Sequence, residues 1–111
     1  MIYVASPYTH PDPAIRQERY EQVRDFCARV QPMFNDPLYS PIVHWHDAAV
    51  CNEMPTEAEF WWRHNSQMLD LSKMLIVYAI EGYGDSVGVT QEVNYAMDKG
   101  LKLEYYNPSE I

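Results

Sequence analysis

The apolar run MLIVYAI occupies residues 74–80, and the segment EGYGDSVG follows it at residues 81–88. A continuous apolar run of this length is typical of a parallel strand that helices cover on both faces. The glycines after it permit a tight turn, and Ser86 is a favoured residue for the position that begins a helix. These residues therefore predict a strand, a turn and a helix in succession, which is the repeating unit of α/β proteins.

Turn and capping signals on both sides of this unit divide the chain into alternating strands and helices. Asp12 followed by Pro13 indicates a helix start, and the segment TEAE at residues 56–59 matches a capping box. Pro41 restricts the second strand to a sheet edge or to a strand start. The predicted strands are residues 1–5, 38–44, 74–80 and 101–106, and the predicted helices are residues 12–31, 56–72 and 86–99, with a loop or short helix before residue 56.

This alternation predicts a small doubly wound parallel sheet of the Rossmann or flavodoxin type, in a single domain over residues 1–111. Right-handed crossovers give the four predicted strands the order 2-1-3-4, with helices on both faces. The order reverses between the first and third strands, so a crevice should open at their carboxyl ends. The loops at residues 6–12 and 80–88 border this crevice, which makes it the predicted functional site.

The composition argues against several classes of function. The chain carries 16 Asp+Glu and 8 Lys+Arg, and its net charge of −8 disfavours a nucleic acid polymer as a partner. Its longest apolar run, residues 74–80, is far shorter than the roughly 20 residues that cross a bilayer, so no membrane partner is expected. Cys27 and Cys51 fit neither a disulfide framework nor a zinc spacing, which favours the cytoplasm. The P-loop and G-x-G-x-x-G patterns are absent from the sequence, and no cofactor is predicted.

Residues beside the predicted crevice favour an anion next to a carboxylate. Ser86 and Gly88 open a helix whose free amides point towards the crevice, an arrangement that binds a phosphate. Glu92 follows Gly88 by four residues, which is about 6 Å along a helix at ~1.5 Å per residue. A phosphate at the helix start would therefore place a sugar near Glu92. The same residues are also compatible with a simple turn, a helix cap and a solvated glutamate.

Two segments resemble the nucleoside 2-deoxyribosyltransferase-like superfamily, including its small, often phage-encoded members. The segment IYVASPY at residues 2–8 resembles the opening strand and loop, and SVGVTQE at residues 86–92 resembles the S-x-G-x-x-x-E signature. The resemblance implies a hydrolase that cleaves the N-glycosidic bond of a (deoxy)nucleoside 5′-monophosphate, with Glu92 as the nucleophile. It also implies that Ser86 and Gly88 bind the 5′-phosphate, and we expect the Val89 amide to join them.

Five further residues are predicted to belong to the site. Asn65 falls where the superfamily usually places an aspartate, and it is expected to orient a hydroxyl or a base without acting as a carboxylic acid. Ser6 and Tyr8 lie in the first crevice loop and are predicted to contact the ligand. His44 and Trp45 end the second predicted strand, where an aromatic or imidazole ring suits stacking and hydrogen bonding to a nucleobase.

Several alternatives remain open at this point. His44 and His46 would share one face of an extended strand, a spacing that zinc could use, but no third ligand is selected and no metal site is predicted. The functional alternatives are a nucleoside 2-deoxyribosyltransferase and a catalytically silent nucleotide-binding module of the same fold. Phe60, Trp61 and Trp62 are adjacent and cannot all face one core, which predicts a homodimer or a higher homo-oligomer.

Overall fold

Parallel strands form one sheet in this computed structural model, which describes residues 1–110. The strands are β1 (Ile2–Ala5), β2 (Leu38–Tyr39), β3 (Met74–Tyr78) and β4 (Lys102–Tyr106), in the order β2-β1-β3-β4 across the sheet. The α-helices are α1 (Pro13–Val30), α2 (Pro41–Cys51), α3 (Ala58–Asp70) and α4 (Val87–Asp98), and short 3-10 helices lie at Gln31–Met33, Tyr83–Asp85 and Pro108–Glu110. The predicted α/β class and strand order are confirmed.

Alternating side chains of β1 contribute to a separate core on each face of the sheet. Ile2 and Val4 pack with α1, whereas Tyr3 and Ala5 pack with α3 and α4. The buried core on the α1 face consists of Ile2, Val4, Val23, Phe26, Val30, Met74, Ile76, Tyr78 and Ile80. The buried core on the opposite face consists of Tyr3, Ala5, Leu69, Leu75, Val77, Val89 and Ala96. Because helices cover both faces, the two central strands can be apolar along their whole length.

The strand order reverses at β1 and β3. These two strands pair in parallel from Ile2↔Met74 to Ala5↔Val77, so they end side by side. The chain leaves β1 through α1 towards β2 on one side, and it leaves β3 through α4 towards β4 on the other. The two connections therefore diverge at the carboxyl ends of the strands, which is where open α/β sheets form a cleft.

The predicted strand at residues 38–44 is wrong beyond its second residue, because a helix begins there instead. Ser40 is the N-cap of α2, and its Oγ accepts a hydrogen bond from the Val43 amide at 3.2 Å. Pro41 occupies the first turn of α2, where its missing N–H leaves no intrahelical hydrogen bond unmade. A serine followed by proline is thus a helix start here, as an aspartate followed by proline is for α1.

The helical conformation of α2 also separates two histidines. His44 and His46 lie about 200° apart around a helix at ~3.6 residues per turn, so they do not share a face. His46 is buried, whereas His44 is exposed. The alternative of a zinc site on these two side chains is therefore wrong. Within residues 1–110, no group of three or more His, Cys, Asp and Glu side chains is arranged to hold a metal ion.

The predicted helix at residues 56–72 is shorter than expected at both ends. The N-cap of α3 is Glu57, and its side chain makes no capping hydrogen bond, so the predicted capping box does not form. Thr56 instead uses its backbone carbonyl to accept a hydrogen bond from Thr9 Oγ1 at 2.7 Å. This bond ties the loop before α3 to the loop after β1.

The other predicted helix ends agree with the structure. The Asp12 side chain accepts a hydrogen bond from the Ala14 amide at 2.9 Å, and Ser86 Oγ accepts one from the Val89 amide at 3.1 Å. Gly100 follows α4 with a φ of 73°, a left-handed conformation that suits glycine. Among the helices within residues 1–110, none combines the length and the hydrophobicity that crossing a membrane requires.

Gly82 and Gly84 provide a matched pair for testing the turn after β3. Gly82 has a φ of 94°, and a Cβ there would lie 2.5 Å from Arg19 Nη2, whereas Gly84 has neither constraint. Gly82→Ala is expected to lower the free energy of unfolding by about 1–2 kcal/mol. Gly84→Ala is expected to change it by less than about 0.5 kcal/mol. Urea denaturation measures both values, and equal effects would contradict a left-handed requirement at Gly82.

Candidate functional site

A cleft lies beyond the carboxyl ends of β1 and β3, between α2, α3 and the start of α4. The space inside it that water-sized molecules can occupy is about 80 Å³, and the cleft opens to solvent. The predicted site residues that line it are Ser6, Tyr8, Trp45, Asn65, Ser86, Gly88 and Glu92. The other two predicted residues, His44 and Val89, do not line it.

Glu92 lies where the cleft meets the core, on the second turn of α4. Its residue is only 6% exposed, although its side chain is ionisable. The Tyr3 hydroxyl donates a hydrogen bond to Glu92 Oε2. Removal from water raises the pKa of Glu92 to about 8, and the hydrogen bond from Tyr3 acts in the opposite direction. In the free protein at neutral pH, the carboxyl group is therefore mostly protonated.

Tyr3 is the partner of Glu92 that could not be assigned from the sequence. It lies within β1, fully buried in the core that also contains residues of α4. Burial and the neighbouring Glu92 raise the pKa of Tyr3 well above its usual value, so its hydroxyl keeps the proton that it donates. The available signal was a tyrosine inside a short apolar strand, because a buried hydroxyl normally needs a partner.

The start of α4 presents polar groups to the cleft. Ser86 Oγ accepts the hydrogen bond of the Val89 amide, and Val89 is buried, so this amide serves the helix cap and not a ligand. The amides of Val87 and Gly88 are the first two of the helix and have no intrahelical acceptor. Of these groups, the Gly88 amide and the Ser86 hydroxyl belong to residues that line the cleft and are available to an anion there.

His46 holds Tyr8 in place on one wall of the cleft. Tyr8 Oη lies 2.8 Å from His46 Nδ1, and His46 Nε2 lies 2.8 Å from Gln17 Oε1. Because the Gln17 oxygen only accepts, His46 Nε2 carries the proton and Nδ1 accepts from Tyr8. The Tyr20 ring stacks on His46 with ring centroids 4.1 Å apart, and burial lowers the pKa of His46. The neutral imidazole therefore fixes the Tyr8 hydroxyl through one tautomer.

Trp45 and Trp61 form an aromatic wall of the cleft, with ring centroids 5.3 Å apart. Trp61 Nε1 donates a hydrogen bond to the Pro55 carbonyl at 2.9 Å, which restrains the indole ring. His44 packs edge-on against Trp45 at 5.1 Å and is exposed, so it supports this wall from outside the cleft. The wall offers a flat apolar surface on which a planar ligand can stack.

Asn65 is the contribution of α3 to the cleft wall. Its Oδ1 lies 3.3 Å from His64 Nδ1, which leaves the N–H groups of its Nδ2 to a ligand. Within residues 1–110, Glu92 is the only Asp or Glu that lines the cleft. The site therefore offers one carboxyl group, with amide and hydroxyl groups around it, and no second carboxylate.

Several buried polar atoms near the cleft have no hydrogen-bond partner within residues 1–110. Ser6 Oγ, Trp45 Nε1 and Gln91 Oε1 belong to residues that line the cleft, whereas the fourth such atom, Tyr39 Oη, does not. Buried polar atoms are nearly always hydrogen-bonded in native proteins. At the cleft, a bound molecule or ordered water would satisfy such atoms. Gln91 was not among the residues predicted from the sequence.

The raised pKa of Glu92 predicts a specific dependence of stability on pH. The folded-state pKa of about 8 lies above the ordinary value of 4.5, so burial of the neutral carboxyl contributes fully to stability below pH ~4.5. That contribution is lost as the pH rises towards ~8, at up to about 1.4 kcal/mol per pH unit. Glu92→Gln cannot ionise, so it is expected to become more stable than the wild type by a margin that grows from pH 5 to pH 8.

Urea denaturation at pH 5, 6.5 and 8 measures this margin. Glu81→Gln removes the same charge from an exposed residue and serves as the control, with no pH-dependent gain expected. Parallel pH profiles for wild type and Glu92→Gln would show that the Glu92 carboxyl has an ordinary pKa.

Comparison with known proteins adds the family to this description. No curated protein matches the chain. The family model for a domain of unknown function, DUF1937, matches residues 1–107. The matched range includes every strand of the sheet and every residue that lines the cleft. The chain therefore belongs to the DUF1937 family.

Proposed function

We propose that this protein hydrolyses the N-glycosidic bond of a nucleoside 5′-monophosphate or its 2′-deoxy analogue, with Glu92 as the nucleophile. The observation that supports this most directly is the buried Glu92 carboxyl, in a cleft that Gly88, with its free amide at the start of the same helix, also lines. A phosphate at Gly88 and an anomeric carbon at Glu92 would be about 6 Å apart along the helix axis. The S-x-G-x-x-x-E resemblance of residues 86–92 points to the same assignment.

The proposed reaction has two steps. The ionised Glu92 carboxylate attacks C1′ of the sugar, and the bond from C1′ to the base nitrogen breaks with its electron pair leaving on the base. Water then attacks C1′ of the glycosyl ester and restores the carboxylate, while one proton of the water ends on the base nitrogen and the hydroxyl remains on the sugar. The hydrogen bond from Tyr3 orients Glu92 and stabilises its negative charge before the attack.

A single carboxyl group favours a covalent mechanism. Inverting glycosidases use two carboxyl groups, one as acid and one as base, whereas Glu92 is the only Asp or Glu lining the cleft within residues 1–110. The departing base is stabilised by a hydrogen-bond donor, for which Asn65 Nδ2 is available. This amide cannot release a proton as a carboxylic acid does.

Two alternative functions use the same cleft. If a second base attacks the glycosyl ester in place of water, the protein is a nucleoside 2-deoxyribosyltransferase. The carboxamide of Asn65, where the superfamily usually has a carboxylate, favours a catalytically silent nucleotide-binding module. A hydrolase releases base from a nucleotide alone, a transferase needs an acceptor base, and a silent module binds the nucleotide without releasing base.

We further propose a homodimer or a higher homo-oligomer located in the cytoplasm. Phe60 is 52% exposed at the start of α3 and Val87 is 67% exposed at the start of α4, and exposed apolar surface of this kind suits a second copy of the chain. Cys27 and Cys51 are both free, as is common for cysteines in a reducing compartment. The proposed small-molecule partner is the nucleotide itself.

Base release from a panel of ribonucleoside and 2′-deoxynucleoside 5′-monophosphates tests the reaction. Glu92→Gln is expected to abolish release, because an amide cannot form the glycosyl ester, whereas Glu81→Gln at an exposed position should leave it unchanged. The wild-type kcat/KM is expected to rise about tenfold per pH unit below pH ~8 and to level off above it, since the nucleophile must be ionised. Chromatography of the free base between pH 6 and 9 measures both effects.

Two results would contradict this assignment. Equal release by wild type and Glu92→Gln would remove Glu92 from the reaction. A kcat/KM that falls above pH ~8 would make Glu92 a proton donor and not a nucleophile.

Phosphate recognition can be tested with a matched pair of serine caps. Ser86→Ala removes a hydroxyl donor to the phosphate and is expected to weaken monophosphate binding about ten- to a hundredfold. The corresponding nucleoside, which lacks the phosphate, should bind weakly and be little affected. Ser40→Ala removes the equivalent cap of α2, and because Ser40 itself does not line the cleft, this change should alter stability alone. Titration calorimetry measures binding, and equal affinity of nucleoside and monophosphate would place the phosphate elsewhere and favour the transferase.

A further inference from the structure

Gln91 is a polar side chain of the cleft to which the proposed reaction gives no role. Its Oε1 is buried and has no hydrogen-bond partner within residues 1–110, including no hydrogen bond to Glu92. A carboxamide oxygen accepts hydrogen bonds and cannot donate them. The cleft therefore holds a buried acceptor whose donor must come from a bound molecule or from solvent.

Two of the other unpartnered groups, Trp45 Nε1 and Tyr39 Oη, are neighbours of each other. Burial raises the pKa of Tyr39 to about 12, and the indole N–H of Trp45 partly opposes this, so these two groups are neighbours. The Tyr39 hydroxyl is therefore the acceptor nearest to hand for the Trp45 indole N–H. A hydrogen bond between these two groups would still leave Gln91 Oε1 without a donor, so Gln91 still needs a partner of its own.

The position of Gln91 on α4 places it at the level of the sugar. Gly88, Gln91 and Glu92 all line the cleft, and their spacing puts them on one face of the helix. Gln91 is about 4.5 Å along the helix axis from Gly88, and Glu92 is about 6 Å from it. A ligand with its phosphate at Gly88 and its anomeric carbon at Glu92 therefore brings its sugar ring past Gln91.

The direction of attack identifies which side of the sugar faces this part of α4. A nucleophile displaces the base from the side opposite to it, and in a natural nucleotide the base is on the β face of the sugar. Glu92 must therefore approach C1′ from the α face. That face carries the 2′ and 3′ hydroxyls, which are the hydrogen-bond donors of the sugar.

We infer that Gln91 accepts a hydrogen bond from an α-face hydroxyl of the sugar, 2′ or 3′, and thereby sets the sugar specificity of the cleft. This inference rests on the proposed function, because that function places a nucleotide in the cleft. A site built to bind a hydroxyl discriminates strongly against an analogue that lacks it, because the buried acceptor is then left without a partner.

Calorimetric titration in the Glu92→Gln protein tests the inference, since this variant cannot form the glycosyl ester and the nucleotide stays intact. The ligands are the ribo, 2′-deoxy and 2′,3′-dideoxy forms of the adenine and uracil nucleoside 5′-monophosphates, together with ribose 5-phosphate, which has no base. Each ligand is titrated with and without the additional change Gln91→Met. Gln22→Met, at an exposed position of α1, is the matched control.

With Gln91 present, loss of the bound hydroxyl is expected to weaken binding about ten- to a hundredfold. If the affinity falls between the ribo and the 2′-deoxy forms, Gln91 binds the 2′ hydroxyl. If the affinity falls between the 2′-deoxy and the dideoxy forms, Gln91 binds the 3′ hydroxyl. Gln91→Met should abolish this difference by weakening the nucleotides that carry the bound hydroxyl to the affinity of those that lack it. Ribose 5-phosphate should weaken by the same factor. Gln91→Asn, which keeps the amide but shortens the side chain, should do the same with an unchanged melting temperature.

Three results would overturn the inference. The first is that Gln91→Met leaves the difference in affinity between the nucleotides unchanged. The second is that it weakens all the nucleotides equally, including the dideoxy form. The third is that it weakens only the ligands that carry a base. Base release by the wild type tests the proposed function separately. The expected binding pattern without base release would overturn only the hydrolase, whereas base release with no effect of Gln91→Met would overturn only the role of Gln91.

Discussion

A carboxyl group buried against an apolar sheet is the constraint on which the rest of this structure depends. Burial raises the pKa of Glu92 to about 8, which means that the fold disfavours the charged form that a nucleophile needs. One hydrogen bond from Tyr3 offsets part of that cost. The two cores that cover β1 and β3 supply the stability that makes such a group tolerable at the centre of a small chain.

The topology of the sheet determines which residues can meet at that carboxyl. Since the chain leaves β1 and β3 towards opposite sides, residues far apart in the sequence converge at the carboxyl ends of these strands. Tyr3 reaches Glu92 across a separation of 89 residues. Helix α4 combines two kinds of group, because its first turn presents free amides and its second turn presents a carboxyl. A ligand with an anionic end and an electrophilic carbon fits both.

The sequence predicted β3 and the start of α4 because these depend on local signals, an apolar run at residues 74–80 and the Ser86 cap. The strand order followed from the right-handed crossover rule. The second strand was predicted in the right place but too long, because Ser40-Pro41 is compatible with both a strand start and a helix start. His46 could not be assigned from the sequence for the same reason, since its contact with Gln17 exists only once α2 is helical. Tyr3 and Gln91 require tertiary geometry, because nothing in their immediate neighbours shows what their polar atoms face.

The short second strand has a consequence for how the cleft wall is attached to the fold. Only two residues of β2 pair with β1, and the next residues enter α2, which carries Trp45 and His46 of the cleft wall. The contacts of His46 with Gln17 and Tyr20 hold α2 against α1. Glu92, in contrast, lies on a helix that packs on the central strands. One wall of the cleft is thus positioned by side-chain contacts between helices, and the opposite wall by the sheet itself.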